Sequence, residues 1–123
     1  MDKLAVELIK NKVQNEAAYI QIVSGSLLPL IKIDEQLDLV RLPTELKVFD
    51  IIVFYDNEKL VCHFVWKDQR DFNKSVITRS LREPYKNETP RDYNNIIGWV
   101  PSKKVPFKTK AKIIFFSWIR GAL

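Results

Sequence analysis

Short segments in which apolar residues alternate with polar ones, or run on without interruption, fill most of the chain from residue 19 onward. Both patterns are typical of β-strands, with one buried face or with two. The segments read AYIQIV, EQLDLVRL, FDIIVFYD, KLVCHFVWKD, KSVITRSL and NIIGWV. A turn signal at Asp56 and Asn57 separates the third from the fourth, so residues 49–66 predict a β-hairpin. Residues 82–95 are polar, contain two prolines and predict a loop.

A helix is predicted before the strands, over residues 2–17. Leu4, Leu8, Ile9 and Val13 recur there at helical spacing. One helix followed by many short strands predicts a mostly β protein of the α+β class, built as a small sheet or barrel.

Length and composition favour one folded domain over residues 1–123. The chain is 46% hydrophobic, which is typical of a globular protein and not of a disordered one. Within it we distinguish an N-terminal helix (1–18), a core (19–100) and a basic, aromatic C-terminal segment (101–123).

The chain has one cysteine and one histidine, which limits its chemistry. An intramolecular disulfide is excluded, a zinc or iron site is disfavoured, and we expect no cofactor. Charged residues interrupt the apolar stretch that a signal peptide would need at the N-terminus, so none is predicted there. No stretch reaches the roughly 20 apolar residues of a membrane-spanning helix. We therefore expect a cytoplasmic protein, with peripheral contact at a membrane surface as an open alternative.

The C-terminal segment is strongly basic. Residues 101–123 hold six Lys and Arg residues and no Asp or Glu, in a chain of net charge +5. Such a segment prefers anionic partners, such as lipid headgroups, nucleic acid or an acidic peptide. Its last stretch, KIIFFSWIRGAL, predicts either a final strand in the core or a segment lying on a membrane surface.

A turn-like interruption, SGSLLP, follows the first strand and presents the candidate nucleophile Ser26. Glycine before the serine permits close approach of another backbone, and Pro29 fixes the exit of the turn. A serine hydroxyl needs a base, and the candidate base is the single histidine, His63. Because side chains alternate along a strand, Cys62 points to the opposite face from His63, which disfavours a thiol nucleophile using this base.

The order of these pieces resembles the signal peptidase I superfamily of serine peptidases, whose fold LexA-like repressors also use. SGSLLP is similar to the family's nucleophile box, KVFDIIVF to its Lys-Val-Gly-Asp-Ile-Val box, HFV to its His-Arg-Val box and IIGWV to its closing box. The resemblance covers residues 19–100, and it is to small members that use a Ser/His pair.

The resemblance implies a signal peptidase-like fold and hydrolysis of peptide bonds in a leader or pro-segment. Ser26 would be the nucleophile and His63 the general base, with a peptide or precursor protein as substrate. The chain departs from the family pattern at Ser24, which stands at the first glycine, at Phe49, where glycine is usual, and at Phe64, which replaces the arginine after the base. The most serious departure is that Ser80 and Leu81 replace Gly-Asp in the box that reads TRSL here. That aspartate orients the histidine in the Ser/His branch.

Three acids in the following loop are candidates to replace the missing aspartate. They are Glu83, Glu88 and Asp92, of which Asp92 is slightly favoured. If none reaches His63, the chain is a degenerate relative that binds peptides or a protein partner without turnover. Binding of nucleic acid is disfavoured, because about 18 residues of helix are too few for a separate DNA-binding domain and RNA-binding aromatic boxes are not evident.

Overall fold

The structure is a computed structural model that describes residues 3–21 and 30–122. It is a mostly β, α+β fold with a helix at each end and two antiparallel sheets. The elements are α1 (Lys3–Asn15), β1 (Ala18–Gln21), β2 (Gln36–Leu39), β3 (Ile51–Asp56), β4 (Lys59–Gln69), α2 (Arg70–Asn73), β5 (Ser75–Arg79), β6 (Arg91–Asp92), β7 (Ile96–Trp99) and α3 (Phe107–Ala122).

The larger sheet has five strands in the order β6-β5-β4-β3-β7, and β1 pairs with β2 in a separate sheet. The predicted hairpin is confirmed: β3 and β4 pair from Ile51↔Phe64 to Asp56↔Lys59. Asn57 and Glu58 connect them with positive φ angles of 48° and 63°, as a two-residue type I′ turn requires. The loop predicted over residues 82–95 contains the two-residue strand β6 and a short 3₁₀ turn.

Side-chain alternation along β3 and β4 divides the core into two clusters, one on each face of the five-stranded sheet. Cys62 and Phe64 belong to the larger cluster, which also receives Val13 from α1 and Ile113 from α3. The smaller cluster, on the opposite face, contains Ile52, Phe54, Val65, Val76, Ile96 and Leu46. The predicted separation of Cys62 from the His63 face is therefore confirmed.

The N-terminal helix meets the core with part of the predicted set, because Val13 is buried and Ile9 packs against the larger cluster. Val6 and Val13 are buried, whereas Leu4 and Leu8 are 70% and 62% exposed. Apolar residues occur on both sides of this helix, so spacing alone did not identify the side that meets the sheet.

The prediction of a final strand, one of the two alternatives for the C-terminal stretch, is wrong, because Phe107–Ala122 form helix α3. The aromatic and β-branched run IIFF favours a strand locally, but its apolar residues continue an i, i+3, i+4 pattern that begins at Phe107. Of the helices formed by the described residues, none is long and apolar enough to cross a membrane.

Gly98, the glycine of IIGWV, allows β7 to pass close to the end of β2. A Cβ at this position would lie 2.7 Å from the carbonyl oxygen of Val40 and 2.9 Å from Cγ of Leu39. Val40 and Trp99 exchange backbone hydrogen bonds of 2.9 and 2.8 Å at the same point. The glycine therefore lets the end of β2 attach to the edge of the larger sheet.

Phe49, which stands where the resembling family has glycine, has a φ of 76°. A side chain in this left-handed region costs about 1–2 kcal/mol. The ring is buried, with centroids 5.3 Å from Phe64 and 5.9 Å from Trp66. Packing against these rings offsets the backbone strain.

Phe49→Gly should be more stable than Phe49→Ala. Both variants lose the ring, which lowers the free energy of unfolding by about 3–5 kcal/mol. Only glycine also relieves the backbone strain, so the free energy of unfolding of Phe49→Gly should exceed that of Phe49→Ala by about 1 kcal/mol. Urea denaturation measures the difference. Phe64 is the matched control: it lies within β4 without positive φ, and there alanine should be the more stable replacement. If Phe49→Ala were as stable as Phe49→Gly or more stable, the backbone at residue 49 would not be strained.

Candidate functional site

His63 lies in the middle of β4, opposite Ile52 of β3. Its ring is on the face of the smaller cluster and meets the Phe54 ring edge-on, with centroids 5.4 Å apart. The residue is only 6% exposed. An imidazole in this position is held by apolar contacts, and its nitrogens need specific hydrogen-bond partners.

Glu88 is the acid that reaches His63. Its Oε1 lies 2.7 Å from Nδ1 of His63. An ionised carboxylate can only accept, so Nδ1 carries the proton. This orientation makes Nε2 the nitrogen that would accept a proton from a reacting group.

Thr78 of β5 holds Glu88 at two points. The Thr78 hydroxyl donates to the same Oε1 at 2.6 Å, and the Glu88 amide donates to the Thr78 carbonyl at 3.1 Å. Thr78 is fully buried opposite Val65 of β4. The loop acid is therefore fixed by the sheet itself.

The surroundings of Glu88 favour its ionised form. Burial raises its pKa, but the hydrogen bonds from His63 and Thr78, together with the charges of His63 and Arg91, outweigh burial and lower the pKa from 4.5 to about 2. Arg91 approaches Oε1 to 3.6 Å with Nη2 and pairs with Asp56 at 2.9 Å through Nη1. Its guanidinium lies 4.3 Å from the Phe54 ring centroid.

A cleft of about 580 Å³ opens beside this pair in the described part of the chain. His63 and Glu88 line it, together with Ser80, the basic residues Arg82, Lys86 and Arg91 and the acidic residues Asp56 and Glu83. The imidazole therefore borders a cleft lined mainly by polar and charged side chains. Cys62 faces away from it, and burial raises the pKa of its thiol to about 12, so the thiol is a poor nucleophile.

The structure describes some of the site residues predicted from the sequence and not others. His63 is in the site, whereas Ser26 lies outside the described residues, as do Ser24 and Pro29. The structure places Glu88, and not the slightly favoured Asp92, at the imidazole. The Asp92 carboxylate instead accepts a hydrogen bond of 2.8 Å from the Asn94 amide and caps the 3₁₀ turn. Glu83 is 69% exposed and pairs with Lys86.

Arg79 holds the loop that carries Glu88, and the sequence analysis did not identify it. It lies on the face opposite Thr78, with its guanidinium 3.7 Å from the Trp66 ring centroid. It donates to Asn87 Oδ1 at 2.7 Å, to the Pro84 carbonyl at 2.9 Å and to Ser117 Oγ of α3 at 2.9 Å. The available signal was an arginine at the end of the strand-like stretch SVITR.

Comparisons of the chain with known protein families, with curated proteins and with solved structures gave no match. Within residues 3–21 and 30–122, His, Cys, Asp and Glu side chains do not form a group of three that could hold a metal ion. The site is therefore defined by its own geometry: a buried imidazole, the carboxylate that orients it and an adjoining cleft.

The low pKa of Glu88 predicts a pH dependence of stability. Its folded-state pKa of about 2 lies below the ordinary 4.5, so its contribution is fully present above about pH 4.5 and is lost as the pH falls toward 2. We expect the free energy of unfolding of the parent to exceed that of Glu88→Gln most above pH 4.5. Denaturant titrations at several pH values check this, with Glu83→Gln as the control for loss of one carboxylate. A difference that grows on acidification would contradict it.

Proposed function

We propose that the protein is a serine endopeptidase of the signal peptidase type, with a LexA-like core. The observation that carries the proposal is the contact between the buried His63 and the partly buried Glu88, which has the geometry of a general base and its orienting acid. The resemblance of SGSLLP, KVFDIIVF and IIGWV to the family's boxes supports it.

In the proposed reaction, Ser26 Oγ attacks the carbonyl carbon of the scissile bond while His63 Nε2 takes its proton. The tetrahedral intermediate collapses when His63 returns that proton to the leaving amine, which releases the first product. Water then attacks the acyl-enzyme with His63 again as the base, which restores Ser26. The Ser26 backbone N–H would contribute to the oxyanion hole.

Glu88 takes the place of the family's missing aspartate in this proposal. It holds Nδ1–H, so the imidazole has the tautomer that leaves Nε2 unprotonated, and it stabilises the imidazolium that forms during attack. Because the Glu88 pKa is held near 2, the carboxylate stays ionised throughout the working pH range of an imidazole base.

The proposed substrate is a leader or pro-segment in an extended conformation, bound along a strand edge by β-strand addition. The cleft is lined by both signs of charge, Arg82, Lys86 and Arg91 with Asp56, Glu83 and Glu88, so the proposal assigns no charge preference to the bound peptide.

Ser26→Ala should abolish peptide cleavage. Loss of the nucleophile from a serine peptidase lowers the rate by several orders of magnitude. The purified parent is incubated with a proteome-derived peptide library, and new termini are identified by mass spectrometry. Ser24→Ala is the matched control from the same segment and should retain cleavage. Equal cleavage by Ser26→Ala and the parent would contradict the proposed nucleophile.

Glu88→Gln should lower the rate by about 10³- to 10⁴-fold with the fold intact, because an amide can favour the wrong imidazole tautomer. Asp92→Asn should leave the rate within about twofold of the parent, since Asp92 caps a turn and does not meet His63. Both rates are measured on the best library peptide. A large loss in Asp92→Asn with none in Glu88→Gln would exclude Glu88 as the orienting acid.

The peptide-binding alternative predicts a different set of results. The parent would give no new termini on long incubation, and it would capture the same peptides as Ser26→Ala in a pull-down. Hydrolysis that depends on Ser26 excludes this alternative.

A further inference from the structure

Helix α3 has two distinct sides. The inner side packs on the protein through the buried Ile113, the Ser117 hydroxyl that accepts from Arg79, and Phe116, whose ring meets Tyr85. Arg120 stacks over the same Tyr85 ring at 4.8 Å. These contacts fix which side of the helix faces solvent.

The outer side is apolar. Phe107, Ile114, Phe115 and Trp118 are exposed by 82%, 52%, 56% and 71%. With Ala111 they lie at i, i+4, i+7, i+8 and i+11, a spacing that places them along one side of a helix. At 1.5 Å per residue this stripe is about 16 Å long. Contiguous exposed aromatic side chains of this kind mark an interaction surface.

The charged residues beside the stripe indicate which kind of partner it binds. The exposed Lys108 and Lys112 flank the stripe on one side, and residues 101–123 contain no acid. Lys110 lies on the other side, with its ammonium 5.8 Å from the Phe49 ring centroid. A second copy of the helix would bring like charges together across the stripe, whereas an anionic surface would complement them. Aromatic residues bordered by lysine stems are suited to a bilayer interface, where rings enter the acyl boundary and ammonium groups remain among headgroups.

We propose that the outer face of α3 docks on the surface of an anionic lipid membrane. The stripe lies parallel to the bilayer plane, with Phe107, Phe115 and Trp118 inserted. The exposed Lys108 and Lys112 contact the headgroups. This surface is separate from the His63–Glu88 pair, and the proposal stands whether or not the protein is a peptidase.

The test is co-sedimentation of the full chain with phosphatidylcholine vesicles that contain or lack phosphatidylserine. The parent should bind the anionic vesicles at least about tenfold more tightly than the neutral ones, with affinity falling as salt increases. Phe115→Ser with Trp118→Ser should weaken binding by about tenfold or more, because two large apolar groups no longer leave water. Lys108→Gln with Lys112→Gln should reduce the preference for anionic vesicles.

Two further measurements keep the proposal falsifiable. Leu4→Ser with Leu8→Ser is the matched control: it removes two exposed apolar side chains from α1 and should leave binding unchanged. Trp118→Phe should still bind but should lose most of the vesicle-induced blue shift of tryptophan emission. The proposal is overturned if the α3 and α1 variants bind equally well. It is also overturned if the parent ignores vesicles and light scattering shows a dimer that the α3 variant abolishes.

Discussion

One carboxylate oxygen, Oε1 of Glu88, holds the groups around the imidazole in place. It accepts from His63 and Thr78 and lies near Arg91. Burying this charge is unfavourable, but hydrogen bonds to a charged acceptor contribute about 1.5–3 kcal/mol each. The surrounding donors therefore outweigh desolvation, and the carboxylate remains ionised beside an apolar ring. Without it, two buried donors would lose their partner at once.

Strand periodicity gives the loop around Glu88 support from both sides of the sheet. Thr78 and Arg79 are consecutive in β5, so their side chains point to opposite faces. Thr78 holds Glu88 on the His63 face, and Arg79 holds Asn87 and the Pro84 carbonyl on the other. The loop from Pro84 to Glu88 has little regular structure, and these contacts with β5 hold it at both of its ends.

Much of the fold could be predicted because it follows from local patterns. The hairpin at 49–66 and the opposed faces of Cys62 and His63 need only the period of two and a turn signal. Glu88 could not be separated from Glu83 and Asp92, because the path of the loop is set by side-chain contacts with Arg79 and Thr78, which residue spacing does not specify. The C-terminal helix was missed because the run IIFF has strand-like composition, whereas its wider spacing is helical.

Arg79 also connects α3 to the candidate site. Its described hydrogen-bond acceptors are neutral: an amide oxygen, a carbonyl and the Ser117 hydroxyl on the helix. A lysine would offer a single nitrogen and could not reach loop and helix together, whereas a guanidinium spreads its donors across a plane. The identity of this one residue in β5 is therefore tied to the presence of α3. A chain with the same strands but a different terminal segment would be free of that requirement.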